Sequence, residues 1–195
     1  MKGSSEKEKV LKLLRSALLD KEDEGNGTFV ASSCNYYPLD DEPIMVFAEK
    51  FVSGKGKFVY CESEEEFIGK LKNLRAYRQW NKIVAFSPSL QTYLSNYEIH
   101  TEIDDENTTV GIGLCHSLIA RTGSIILTSA QGVGKHLKHF PPIMIVVAFE
   151  SQIQDSYKQT LEQLSETPPQ WLLSIKTGEL IEEEIRELYM FVISG

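Results

Sequence analysis

Two apolar runs rich in β-branched residues constrain the fold of this chain more than any other feature. They are residues 124–128 (SIILT) and residues 143–148 (IMIVVA), and a glycine-containing loop followed by basic residues separates them. Short apolar runs of this kind favour buried strands. A glycine loop after a strand is a common way for an α/β domain to build a binding site at the strand's end. The sequence therefore predicts a pocket in this region.

Strand-like runs also alternate with helical patterns earlier in the chain. Residues 57–61 and 82–86 favour strands. Each is followed by a helix signal, a capping box that starts at Ser63 and a Ser-Pro pair at residues 87–88. Such alternation is typical of a mostly parallel sheet with both faces covered, so the predicted class is α/β.

The remaining segments predict further elements of one domain over residues 1–195. Apolar residues at helical spacing predict an amphipathic helix at about 6–20 and another over 151–166. Residues 171–175 favour a strand. The tail is ambiguous, because residues 182–187 favour helix whereas residues 189–193 favour strand.

Composition narrows the class of protein. The chain has 28 acidic and 20 basic residues, a formal charge of −8, which argues against non-specific binding to nucleic acid or anionic membranes. The charged N-terminus does not lead into a signal-peptide apolar region, and no run reaches about 18 apolar residues. We therefore expect a cytoplasmic protein. Its three cysteines lack a CxxC motif and are expected to be reduced.

The loop at residues 131–136 (QGVGKH) carries the strongest binding signal. Gly132 and Gly134 could turn successive backbone N–H groups inward to form an anion nest, to which Lys135 adds positive charge. The loop is not a P-loop, because Ser129 stands where glycine is needed and His136 where a hydroxyl residue is needed. The alternative interpretation is a glycine turn that joins two elements.

A second candidate is the turn at Arg121, Thr122, Gly123 and Ser124. The two hydroxyls could donate to a carboxylate or phosphate, Gly123 can adopt positive φ, and Arg121 could add a bidentate contact. The alternative is an ordinary hairpin turn whose hydroxyls bond to nearby groups.

Other motifs are weaker. Gly111 and Gly113 begin like a dinucleotide-binding fingerprint, but His116 occupies the third glycine position. His136 and His139 could share a helix face, yet too few carboxylates or thiols accompany them, so no metal site is predicted. Cys115 and His116 are adjacent, which on an extended chain points their side chains to opposite faces. No catalytic residue is assigned.

Residues 120–129 (ARTGSIILTS), with the glycine loop and the proline pair at 141–142, resemble the LUD-domain family of lactate-utilisation proteins, of the LutC/YkgG type. Members of that family have an Ala-x-Thr-Gly-Thr/Ser turn, an apolar strand, a glycine-rich loop and a Pro-Pro pair before another apolar strand. The order and spacing agree here, and the predicted N-terminal helix also fits the family's usual opening.

The resemblance implies a three-layer α/β/α fold similar to the NagB/RpiA/CoA-transferase group. It also implies a role in oxidising L-lactate to pyruvate beside an iron–sulfur subunit and a cysteine-rich-domain subunit. In that role the chain is expected to be an accessory or regulatory subunit that binds a small anionic metabolite and no cofactor of its own. The iron–sulfur cluster would belong to the partner, and a homo-oligomer is possible.

Two features depart from the family pattern. An acidic residue usually precedes Thr-Gly, whereas this chain has Arg121, which reverses the local charge and would remove a general base. Of the usual C-terminal signature, Gly178 and the Glu-Ile pair at 184–185 can be placed, but the His-Gly-Pro is missing. An alternative is an enzyme that resembles CoA transferases or formyltetrahydrofolate cyclo-ligases and uses the glycine loop for a phosphate or CoA.

Overall fold

The structure, a computed structural model, describes residues 39, 41–102, 109–132, 140–178 and 185–195. The helices in these ranges are α1 (Pro43–Ser53), α2 (Glu64–Arg78), α3 (Pro88–Ser95) and α4 (Tyr157–Glu166). The strands are β1 (Lys57–Cys61), β2 (Val84–Ala85), β3 (Val110–Leu114), β4 (Ser117–Ile119), β5 (Ser124–Thr128), β6 (Ile143–Phe149), β7 (Ile153–Gln154), β8 (Leu172–Lys176) and β9 (Glu187–Ile193).

Five parallel strands form the central sheet in the order β1-β9-β6-β3-β2. β3 and β6 are buried along most of their length, as expected for parallel strands covered on both faces. Beyond β2, Glu102 forms a single parallel bridge with Val84. The prediction of an α/β fold with a mostly parallel sheet is therefore confirmed.

A second, four-stranded sheet was not predicted. Its order is β7-β4-β5-β8, with β5 antiparallel to both of its neighbours and β4 parallel to β7. β5 is buried throughout. Leu118, Ile125 and Ile175 of this sheet pack in one core with Phe47 and Phe51 of α1 and with Met144 and Val146 of β6.

The opposite face of the central sheet is covered by α2 and α3. Phe67 and Leu71 of α2 and Leu90 of α3 share a second core with Ile145 of β6 and Phe191 of β9. One face of the central sheet thus packs against α2 and α3, and the other face packs against α1 and the second sheet.

Local signals explain where the helices begin. The Ser63 side chain accepts the Glu66 N–H at 3.2 Å to start α2, and the Ser87 side chain accepts the Leu90 N–H at 3.3 Å to start α3. Both starts were predicted from sequence. Pro43 opens α1, where its fixed φ suits the first helical turn.

Other element predictions were wrong at their edges. The helix predicted over 151–166 begins only at Tyr157, because residues 150–152 form a 3₁₀ turn and residues 153–154 form β7. The strand predicted at 82–86 is limited to β2. In the tail, the strand alternative is confirmed by β9, whereas residues 182–184 lie outside the described ranges.

Residues Leu39–Gly195 form one compact unit. The predicted helix at about 6–20 lies outside the described residues, and the single domain predicted over 1–195 stays a prediction. In the described part of the chain, no helix is both long and apolar enough to cross a membrane.

Candidate functional site

The two predicted halves of the binding site lie at opposite ends of β5. Thr122 and Gly123 precede the strand and Ser124 is its first residue, whereas Gly132 follows its far end. At about 3.3 Å per residue, β5 alone is roughly 13–17 Å long. The structure therefore does not bring these residues together. Gly134 and Lys135 lie outside the described residues.

At the first end, residues 120–123 form the turn of the β4–β5 hairpin. The Thr122 and Gly123 N–H groups donate to the Ile119 carbonyl at 3.3 and 2.9 Å. Gly123 has φ +66°, and a Cβ there would lie 2.9 Å from both Lys50 Cβ and the Phe51 nitrogen of α1. Glycine is therefore needed for the turn and for its close approach to α1.

The hydroxyls of this turn bond within the protein. Thr122 Oγ1 donates to Ser124 Oγ at 2.8 Å, and Tyr157 and Ser174 share a hydrogen bond of 2.9 Å. Burial raises the pKa of Tyr157, but hydrogen bonds with Ser124, Ser174 and Thr122 and the nearby Lys176 charge bring this pKa below its ordinary value. This arrangement agrees with the hairpin alternative, and a ligand role for the residues at 121–124 stays a prediction.

At the other end of β5, the chain turns at residues 129–131. Thr128 caps this 3₁₀ turn, and Gln131 Oε1 accepts both the N–H and the hydroxyl of Thr128 at 2.8 Å. Gly132 follows with φ +74°. A Cβ on Gly132 would lie 2.5 Å from the Phe86 carbonyl oxygen and 3.2 Å from Ser87 Cβ.

This contact puts Gly132 beside the start of α3. Phe86 directly follows β2, and Ser87 is the N-cap of the helix. Ser87 Oγ also lies 3.2 Å from Ser89 Oγ. The carboxyl end of a parallel strand and the positive end of a helix dipole meet here, the combination that α/β proteins use to bind anions.

The glycines of the possible dinucleotide fingerprint have a packing role. Gly111 and Gly113 lie within β3, and a Cβ on either would collide with the Phe86 ring. A fingerprint needs its glycines in the turn after a strand, so this pair does not form one.

Cys115 and His116 do not form a reactive pair. Burial raises the pKa of the Cys115 thiol to about 12, so the thiol is protonated at neutral pH, and burial lowers the pKa of His116. Gln152 Nε2 donates to the carbonyl groups of both residues at 2.9 and 3.1 Å. Among the residues that the structure describes, no three His, Cys, Asp or Glu side chains are grouped to hold a metal ion. His136 and His139 lie outside those residues.

Sequence reasoning missed a cavity of about 220 Å³ at the carboxyl ends of the central strands. It lies on the face of the sheet that α2 and α3 cover. We call it the edge pocket. The described residues that line it are Glu64, Phe67, Ser89, Leu90, Tyr93, Leu114, Val147, Phe149 and Ile193. These residues are far apart in sequence and meet only through strand register, so no local motif could have indicated the pocket.

One polar pair stands at the edge pocket. The Tyr93 hydroxyl of α3 donates to Glu64 Oε2 of α2 at 2.8 Å. Burial and this hydrogen bond raise the pKa of Tyr93 above its ordinary value, so the phenol stays protonated and remains a donor.

Comparison with known proteins finds a family model that matches the middle of the chain and a solved structure with a similar fold. Residues 81–173 match the sequence model of the LUD domain. The crystal structure of a DUF162 (LUD-domain) family protein from Deinococcus radiodurans is similar, with a TM-score of 0.65 and 19% sequence identity. The match covers 80% of this chain and 99% of that one. No curated protein matches this chain.

Proposed function

We propose that this chain, whose residues 81–173 match the sequence model of the LUD domain, binds a small organic anion as an accessory or regulatory subunit in organic-acid utilisation. Oxidation of L-lactate to pyruvate is the pathway implied by the sequence resemblance. The main support for an anion site is the closeness of Gly132 to Phe86 and Ser87 at the start of α3.

The anion site is proposed at the loop that begins with Gly132. The left-handed conformation of Gly132 starts the loop beside a helix N-terminus. The sequence then supplies Gly134 and Lys135, a second glycine and a positive charge. A helix N-terminus and a nearby cation both favour negative charge, which supports a carboxylate or phosphate group as the ligand's polar end.

The partners belong to the same proposal. An iron–sulfur subunit and a cysteine-rich-domain subunit would carry out electron transfer, and this chain would bind the metabolite in the cytoplasm. Support comes from the family resemblance. Co-purification of the tagged chain with an iron–sulfur protein would test the association.

Thermal stabilisation tests the proposed ligand site. Lactate, pyruvate, phosphate and acyl-CoA are added in turn to the protein, and the Tm is measured. A ligand that binds only the native state raises the Tm, and Lys135→Ala should abolish this rise. Lys158→Ala is the matched control, because Lys158 on α4 is mostly exposed and pairs only at 3.9 Å with Glu162. The proposal fails if none of the four compounds raises the Tm, or if both variants respond like the wild type.

An enzyme that resembles CoA transferases or formyltetrahydrofolate cyclo-ligases is the second candidate. The same closeness of Gly132 to Phe86 and Ser87 at the start of α3 favours it, since that end of a helix also suits phosphate. Turnover of an acyl-CoA, or of nucleotide plus folate, would decide for this candidate. Ligand binding without turnover would decide for the accessory subunit.

A further inference from the structure

The edge pocket is formed where three neighbouring strands of the central sheet end. Leu114 of β3 pairs with Val147 of β6, and Phe149 of β6 pairs with Ile193 of β9. Alternate residues of a strand share a face, so these side chains point toward the helix-covered side and form an apolar floor.

The two helices on that side supply the walls. Phe67 of α2 is 1% exposed and Leu90 of α3 is 5% exposed, so both walls are held in the core. α2 follows β1 and α3 follows β2, the two strands at opposite ends of the sheet. The space above the ends of the middle strands therefore lies between the two helices.

The volume limits the size of an occupant. Apolar cavities of about 150 Å³ take up benzene, whereas pockets for drug-sized ligands begin at about 300 Å³. At about 220 Å³, the edge pocket fits a body of one aromatic ring with a short substituent. Displacing water from such an apolar lining favours binding.

Charge limits the chemistry of an occupant. Glu64 is the ionisable carboxylate among the described lining residues, and Glu62 and Glu65 are exposed beside it. The Lys70 ammonium on the next turn is paired with Glu66 at 2.8 Å. The three carboxylates outweigh the partial positive charges at the starts of α2 and α3, so this rim attracts a cationic or hydrogen-bond-donating group more strongly than an anion.

We propose that the edge pocket is a second binding site, for a small neutral or cationic molecule with a ring-sized apolar body and a hydrogen-bond donor directed at Glu64. The two sites are neighbours, because Ser89 lines the edge pocket and Gly132 lies beside Ser87 at the start of the same helix. An organic anion fits the Gly132 loop and is disfavoured here, so the two sites take ligands of different charge.

Three probes with the same ring and a short substituent of different charge test the proposal: benzylamine, benzyl alcohol and benzoate. Each is titrated into the full chain while the NMR signals of the Leu90, Leu114, Val147 and Ile193 methyl groups are followed. We expect saturable shifts of these methyl groups with benzylamine and benzyl alcohol, and much weaker binding of benzoate. The proposal is overturned if no probe shifts them, or if benzoate binds as tightly as benzylamine.

A pair of variants tests the role of Glu64. Glu64→Gln keeps the size and an acceptor oxygen but removes the charge, and should weaken benzylamine about threefold, as for an exposed ion pair, with benzyl alcohol unchanged. Glu65→Gln, one residue along the same exposed turn and outside the lining, should have a smaller effect on benzylamine. Equal weakening by both variants would contradict a direct contact with Glu64.

Discussion

Gly132 is the residue on which the proposed anion site depends. Its φ of +74° is unfavourable for most residues other than glycine. A Cβ at this position would also lie 2.5 Å from the Phe86 carbonyl oxygen. We expect Gly132→Ala to lower the free energy of unfolding by about 1–3 kcal/mol, the usual cost of such backbone strain. Urea denaturation followed by circular dichroism measures this change.

Gly69 provides the matched control. It lies in the middle of α2, is exposed, and nothing stands within 4 Å of a Cβ added there. Gly69→Ala should therefore stabilise the protein by about 0.5–1 kcal/mol, because alanine is the better helix former. Similar effects of the two substitutions would show that the Gly132 backbone is not constrained by its contact with Phe86.

Single residues also show the limit of sequence reasoning. The turn at 121–124 and its two hydroxyls were recognised from sequence, because Thr-Gly-Ser between apolar runs is a local pattern. Tyr157, whose hydroxyl interacts with both of these hydroxyls and with Ser174, lies far along the chain and is brought near by α4. No local pattern could have indicated it.

At the scale of elements, Glu187 joins two strands and a helix. Its carboxylate, at the start of β9, forms ion pairs with Lys57 at the start of β1 and with Arg78 at the end of α2. The Tyr189 hydroxyl donates to the same carboxylate at 2.8 Å. Burial opposes ionisation, but the hydrogen bonds from Lys57, Tyr189 and Arg78 hold the pKa of Glu187 below its ordinary value.

This lowered pKa predicts a pH-dependent contribution to stability. A carboxylate whose pKa is depressed in the folded state stabilises the protein above its unfolded pKa, about 4.3 for glutamate, and the contribution is lost as the pH falls through the folded value. Glu187→Gln should therefore cost on the order of 1 kcal/mol at neutral pH, and the difference from wild type should vanish in acid.

Urea unfolding at several pH values measures this dependence. Glu162→Gln is the control, because Glu162 is 66% exposed and its pair with Lys158 spans 3.9 Å, so little change is expected. A Glu187→Gln difference that persists unchanged in acid would contradict the assigned ionisation.

The sequence predicted elements where local signals were strong. Ser63 and Ser87 fixed the starts of α2 and α3 through their caps. The second sheet was missed because β4 has three residues and β7 has two, too few to show a period. The helix predicted from residue 151 failed because Ile153 fits the helical spacing of the apolar residues yet pairs in β7 with Leu118.

For the molecule as a whole, the sequence indicated the α/β class and a resemblance to the LUD domain, but not which distant residues lie side by side in the fold. The proposed ligand residues are close in sequence, and β5 nonetheless separates them. Two features instead lie at the carboxyl ends of the central strands, near the start of α3. They are the contact of Gly132 with Ser87 and the edge pocket beside Ser89. Fold alone assigns no reaction to this arrangement.

The most direct test of the anion site is a titration of the ¹⁵N-labelled protein with lactate, pyruvate, phosphate or acyl-CoA, followed by amide NMR. We predict saturable shifts of the Gly132 and Ser87 amide signals with at least one of these ligands, while the amide signals of Thr122 and Ser124 do not shift. Shifts confined to residues 121–124, or no saturable shift with any of the four ligands, would contradict the proposed site.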